Sequence, residues 1–493
     1  MGVVELSPDD MRRAASALPA AGPSGGEMLY FNGVDGTDGG YLLPPMTARE
    51  FSVSHFGRPV EQRPARELGL FPVPGKPGEH RFKGLMDGVS SRLPEAGWCL
   101  VFPQGSDPQI AEALQPLIEQ RRTQAAQLSE RRFRLLGGRD CYRPGESKAE
   151  FLSRHKVGYG PVDPDAFPYY LLLVGSPSEI PFSLQCDLGV QYAVGRLHFE
   201  TPDEYANYAL SVVEHETRGP ESSRQATFFG VANSEDPATR LGLEGLAQPL
   251  ARALKESRPG WQIRTAFQSE ASRARLARLL GGSETPSLLF TSSHGLAFPC
   301  GDSRQLPQQG SLLCQDWPGR LQAAAPARQH YFAAEDLASD ARLRGLIVFH
   351  YACFSAGTPE LDRFQRRTFR KSAGRIAEQP FVARLPQRLL GHPAGSALAV
   401  IGQVDQAFCY SLQWNSAAQQ ISVFQSALTG LLDGVRIGHA MRSFGQRYAE
   451  FSFELIRQLH AFRPDDPLIT SLTSAQNDAR NYIVLGDPAV RLI

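Results

Sequence analysis

"LIVFHYACFSAG", residues 346–357, decides how this chain folds. A run of strand formers leads straight to Cys353, and small residues carry the backbone around a turn just beyond it. A run apolar on both faces reads as a strand in a mostly parallel sheet covered by helices on both sides. A second stretch, "LLFTSSHG" (288–295), has the same form and ends in His294 and Gly295. Ligands of an open α/β sheet gather outside the carboxyl ends of its strands. If these two strands are parallel neighbours, Cys353 and His294 emerge together at one solvent-facing edge, a thiol nucleophile beside the base that activates it. The backbone N–H groups of Gly295 and Cys353 are then candidates for an oxyanion hole. Each residue also has a plain reading: a lone buried cysteine fills space, and a lone His-Gly makes a polar turn. The pair, on two strands of one sheet, is what points to catalysis.

Outward from these strands the chain alternates strand and helix. "GWCLVF" (97–102) and "YYLLLVG" (169–175) are strands, with an arginine-rich helical stretch between them and a helix over 202–216 capped by Thr201. A second series holds strands "ATFFGVAN" (226–233), "WQIRTAF" (261–267), the two above, and "SALAVIG" (396–402), with helices over 238–256, 270–280, 416–433 and 436–460. The expected architecture is α/β: residues 1–90 an irregular N-terminal covering segment, 91–220 a smaller N-terminal α/β subdomain, and 221–493 a catalytic domain built on a mostly parallel sheet flanked by helices.

Composition narrows the function. The 493 residues balance 51 Lys and Arg against 51 Asp and Glu, which argues against a nucleic-acid partner. No apolar run reaches the roughly 18 residues that cross a bilayer, so no membrane partner is expected. The beginning, "MGVVELSPDDMRRAAS", lacks an apolar leader core. Seven scattered cysteines without metal-ligand spacing imply neither a disulfide frame nor a metal site, and suggest a cytoplasmic protein needing no cofactor. Cys300 and Cys314 are expected as free thiols.

At "SSHG" (292–295) and "YACFSAG" (351–357) the sequence resembles the caspase-like cysteine peptidases, and within that clan the gingipain-type family. The likeness extends through "PYYLLLVGSPSEIPF" (168–182), "YAVGRLHFETPDEYANYALSVVEHE" (192–216) and the closing "NYIVLGDPAVRL" (481–492). The resemblance implies a caspase-like sheet and a cysteine endopeptidase working with a Cys353–His294 dyad on protein or peptide substrates. By analogy it suggests regulated intracellular proteolysis, including bacterial defence. A catalytically silent interaction scaffold, or an acyl-transfer or amide-hydrolysing enzyme of similar geometry, remains as an alternative.

The resemblance also places a substrate pocket among three loops. The loop after the first strand of the second series, "NSEDPATR", holds Glu235 and Asp236; the loop after "ALAVIG" holds Gln403, Val404 and Asp405. A carboxylate at a pocket floor suits a guanidinium or an ammonium. Asp236 and Asp405 are therefore candidates for selecting a basic residue, Arg favoured. Glu235 is instead a candidate to orient His294, and "SEDP" is equally a good helix start. Gln403 and Val404 offer backbone for an extended substrate to pair with, and Trp414 is a candidate wall. Tyr351 stands where some basic-specific relatives carry an acid. The arginine-rich "ELDRFQRRTFRKSAGR" (360–375) suggests self-cleavage between Arg363 and Arg375.

Overall fold

A computed structural model describes residues 28–30, 33–47, 50, 92–218, 224–233, 235–319, 325–362, 374–407, 421–460 and 466–492. Three short strands come first: β1 (Met28–Leu29), β2 (Gly33–Asp35) and β3 (Met46–Thr47). Then follow β4 (Trp98–Val101), β5 (Phe133–Leu136), β6 (Tyr170–Val174), β7 (Ala193–Leu197), β8 (Gln225–Gly230), β9 (Gln262–Phe267) and β10 (Leu288–Ser292). A hairpin excursion gives β11 (Gly295–Ala297), β12 (Leu312–Leu313) and β13 (Tyr331–Phe332) before β14 (Ile347–Tyr351). The chain closes with β15 (Gly357–Thr358), β16 (Phe381–Val382), β17 (Ala399–Gln403) and β18 (Tyr482–Gly486).

One ten-stranded sheet runs β5-β4-β6-β7-β18-β17-β14-β10-β8-β9. Every described pairing is parallel except β17 with β18. The sheet is thus two parallel halves running in opposite directions, joined where the final strand of the chain turns back against β17. The inner strands are buried along their whole length, as their unbroken apolar runs require. Helices cover both faces. The fold is the expected α/β one, a mostly parallel sheet flanked by helices.

A buried network ties the end of β18 to the N-terminal half. Asp487, at the end of β18, accepts from Trp98 Nε1 at 2.9 Å and Arg121 Nε at 2.6 Å, and Arg121 also meets Glu216. Gly195 is obligatory here, because an added Cβ would lie 2.2 Å from the Gly486 carbonyl oxygen.

The sequence signals and the structure differ in several places. The single helix expected over 238–256 is three pieces: Pro237–Gly242, a wide π turn over Leu243–Ala247, and Gln248–Ser257. Pro249 has no N–H to donate, so the α ladder cannot run through it unbroken. Strand β5 is obscured by the arginines around it. Within the N-terminal stretch read as irregular, β2 is an ordered strand in the sheet β13-β12-β11-β2.

Candidate active site

Strands β10 and β14 are parallel neighbours, with Ser292 opposite Tyr351. Both chains continue past that pair in step, and the Ser293 N–H donates to the Tyr351 carbonyl at 3.2 Å. His294 and Cys353 therefore leave the same edge of the sheet. A Cβ on Gly295 would lie 1.8 Å from the Cys353 carbonyl oxygen and 2.9 Å from its nitrogen, so only glycine lets the two turns meet. Phe354 takes up the reversal after Cys353 with φ +56°, a strained conformation for a bulky residue. Its N–H donates to the Asp405 carbonyl at 3.1 Å. The Cys353 sulfur accepts from the Ala407 N–H at 3.0 Å.

The expected solvent-facing placement does not hold: Cys353 and His294 are each 0% exposed. Leu42, Ala297, Phe354 and Ala407 pack around the thiol. Burial pushes the thiol pKa upward, and the Asp405 and Asp478 charges add to this against the opposing Ala407 N–H.

Asp236 sits elsewhere than on a pocket floor. Its Oδ2 lies 2.6 Å from His294 Nε2, and its Oδ1 accepts from the N–H groups of Ala238 at 3.1 Å and Thr239 at 3.4 Å. The carboxylate is thus both the cap of the helix Pro237–Gly242 and the partner of the imidazole. Burial raises its pKa, but the His294 charge and the hydrogen bonds from His294, Tyr41 and Thr239 outweigh this and bring it to about 2. Glu235, the residue expected to orient His294, is exposed instead, at φ +60°. That left-handed turn is what sends the next side chain, Asp236, back toward the sheet. The resemblance singles out both acids but assigns Glu235 to the imidazole, because one-residue differences in a loop decide which of two adjacent acids faces inward.

The backbone after β17 does not present the open edge expected of it. Gln403 donates its N–H to Ser355 Oγ at 3.1 Å and accepts from the Ala356 N–H at 2.9 Å. Val404 donates to the Asn481 carbonyl at 3.0 Å. These groups hold the turn after Cys353 against β18. Asp405 is buried, with its Oδ1 accepting from the Gln406 N–H at 2.8 Å. Val404 and Asp405 line one end of a cavity of about 730 Å³, whose walls also carry Asp187, Glu360 and Arg480. Tyr351 is buried edge-on to Phe424. His350, three residues before Cys353, is bonded to Thr291 Oγ1 at 2.7 Å and takes no part in this edge. Trp414 lies outside the described residues. So do residues 363–373 of the arginine-rich stretch, whose two ends are clasped by the Leu361–Arg375 bridge and a 2.8 Å bond from the Asp362 N–H to the Gly374 carbonyl. Among the described residues no three metal-ligating side chains gather.

The model of peptidase family C25 matches residues 109–493. The chain belongs to that family, the gingipain family. It is a cysteine endopeptidase. Among solved structures it is similar to one described as the structure of a protease, at 13% identity and a TM-score of 0.46, covering 81% of this chain and 80% of the other. It is also similar to the complex of Porphyromonas gingivalis RgpB pro- and mature domains, at 11% identity and a TM-score of 0.46, covering 80% of this chain and 79% of the other. No curated protein matches the chain.

Proposed function

We propose that the peptidase works through Cys353 as nucleophile, His294 as base and Asp236 as the group that orients the imidazole. The observation that carries this reading is the 2.6 Å contact between Asp236 Oδ2 and His294 Nε2, on an edge where Gly295 touches the Cys353 backbone. With Nε2 committed to the carboxylate, proton traffic runs through Nδ1. The thiol gives its proton to Nδ1, the sulfur attacks the scissile carbonyl, and the imidazolium returns the proton to the leaving amine. Water then releases the acyl group from sulfur. The N–H groups of Gly295 and Cys353 serve the oxyanion. Because the thiol is buried and its pKa raised, the surrounding chain must move before substrate reaches it.

The substrate reading is cleavage after a basic residue, Arg favoured. Asp236 being taken by His294, the acid that supports this is Asp405, in a cavity whose lining sets Asp187, Glu360 and Asp405 against Arg480. An intracellular setting is supported by the six described cysteines, none of which is in a disulfide. The test of the site is an electrophilic peptide probe: it should label Cys353 and fail on Cys353→Ala. Labelling of another cysteine with retained turnover by Cys353→Ala overturns the assignment.

A further inference from the structure

The N-terminal segment reaches the catalytic edge. Strand β2 pairs in parallel with β11, Gly33 opposite Gly295, so the first residue after His294 is held by residues near the start of the chain. Beyond β2 a tight loop turns at Asp35, whose N–H donates to the Gly40 carbonyl at 2.8 Å and whose carbonyl accepts from Gly39 at 2.8 Å. Gly39 sits at φ +71°, a conformation suited to glycine. The Leu42 N–H then returns to the Gly33 carbonyl at 2.9 Å. This loop delivers Tyr41 and Leu42 to fixed places. The Tyr41 hydroxyl donates to Asp236 Oδ1. Its ring lies edge-on to the His294 ring, with centroids 5.7 Å apart and planes at 68°. Leu42 packs against the group around Cys353.

The distribution of donors on Asp236 is asymmetric. Oδ1 accepts from Tyr41 and from the N–H groups of Ala238 and Thr239, whereas Oδ2 accepts from His294. A carboxylate rotates about its terminal bond unless its oxygens are distinguished. Two of the donors on Oδ1 are cap bonds of 3.1 and 3.4 Å, the longer near the outer limit for a hydrogen bond. The tyrosine hydroxyl is a side-chain donor on that oxygen, and an anionic acceptor strengthens its bond. We propose that Tyr41 is a positioning residue of the peptidase: it fixes Oδ1 of Asp236 so that Oδ2 faces His294, and it walls the imidazole from the side. The segment 33–42 is then a built-in part of the working site. This rests on the reading of Cys353, His294 and Asp236 given above.

The experiment uses the full chain and compares wild type, Tyr41→Phe, Asp236→Asn and the double variant. The phenylalanine keeps the ring and its contacts, so the fold is preserved. Tyr41→Phe should lower kcat about tenfold with KM changed less than about twofold, the pattern of an interaction that matters in the transition state. On the Asp236→Asn background the same change should cost nothing further, since the two act as one unit. A second measurement needs no turnover. In Cys353→Ala protein, NMR titration follows the His294 imidazole, which faces Asp236 from the helix cap and Tyr41 from the N-terminal loop. Removing the hydroxyl leaves more negative charge for the imidazolium, so Tyr41→Phe should move the midpoint upward by about half a pH unit. An unchanged midpoint, equal losses on both backgrounds, or faster turnover by Tyr41→Phe overturns the proposal; the last would make the segment a lid over the site. If wild-type protein shows no turnover that depends on Cys353, the site reading fails by itself, and the titration still decides the role of Tyr41.

Discussion

Asp236 Oδ2 lies 2.6 Å from Nε2 of His294, 58 residues further along the chain, and both groups are withdrawn from solvent. In the proposed site, a carboxylate so placed fixes which imidazole nitrogen is left to serve the thiol. It also makes this edge of the sheet part of the folded core, with consequences for stability as well as for the proposed chemistry.

The Asp236 carboxyl, with its pKa near 2 against an ordinary 3.8, favours the folded state. A depressed folded pKa contributes stability that is present above the unfolded value and is lost as pH falls through the folded one. The contribution should therefore hold above about pH 4 and vanish toward pH 2, amounting to about 2 kcal/mol. Thermal unfolding of wild type and Asp236→Asn should show a gap that closes across this window. At neutral pH the same variant should lose about a hundredfold in kcat. A gap that does not change with pH contradicts the ion-pair account.

Removal of the two members of the proposed dyad should differ in its cost. Cys353→Ala deletes one sulfur from a packed site and should cost about 1 kcal/mol. His294→Ala leaves a buried carboxylate oxygen without its hydrogen-bond donor and should cost about 3 kcal/mol. Both should abolish peptide turnover. Denaturant melts of the two purified variants measure the difference, and equal stabilities would falsify the buried pairing.

Gly295→Ala should be among the most damaging small changes in the chain. The new methyl group would stand 1.8 Å from the Cys353 carbonyl oxygen, backbone that cannot step aside. A loss of more than about 3 kcal/mol is expected, with turnover lost in whatever folds. Gly105→Ala is the control for space alone, since nothing lies within 4 Å of that position. Its φ of +81° still carries a strain cost of roughly 1 kcal/mol.

Much of this was legible beforehand, and the reasons are local. The strands ending at His294 and Cys353 are apolar on both faces because helices bury both sides, and such runs announce themselves. That they are neighbours followed from the chemistry they carry at a shared edge. The antiparallel turn of β18 against β17 was not legible, because an apolar strand carries no mark of its direction. Nor was the part played by Tyr41: a tyrosine in a Gly- and Asp-rich stretch gives no periodic signal, and its partner lies 195 residues away. The exchange of roles between Glu235 and Asp236 turned on one positive φ, which an acidic pair does not encode.

The basic-residue preference has its own test. If Asp405 receives the substrate cation, a peptide library should show cleavage after Arg and Lys and none after Asp. Asp405→Asn should then lower kcat/KM for Arg substrates by roughly thirtyfold, the lower end of what a buried charge partner contributes. The cavity would still accept the side chain, so the loss should fall on charged residues and spare an uncharged isostere such as citrulline. Preference for apolar or acidic residues at the cleavage position rejects the assignment.

Self-processing is the last expectation, and its geometry is half visible. The stretch from Arg363 to Arg375 is rich in Arg and Lys, and its flanks, Glu360 and Leu361, line the same cavity as Asp405. Arg375 is held by Glu360 at 2.9 Å, and the backbone clasp between 361–362 and 374–375 brings the two flanks of the stretch together. An enzyme that selects Arg meets such a tethered loop at high effective concentration. A cut inside the clasp would leave its two sides joined by those backbone bonds, and β14 and β17 would still pair in one sheet. Large and small fragments should therefore stay associated after cleavage. Mass spectrometry of wild-type protein after prolonged incubation should find the cut after an Arg or Lys between 363 and 375, with Cys353→Ala remaining whole. Substituting every Arg and Lys in the loop by Gln should abolish the cut and leave turnover of a small peptide intact. Wild-type protein that stays full length while turning over Arg peptides rules out this loop as a processing site.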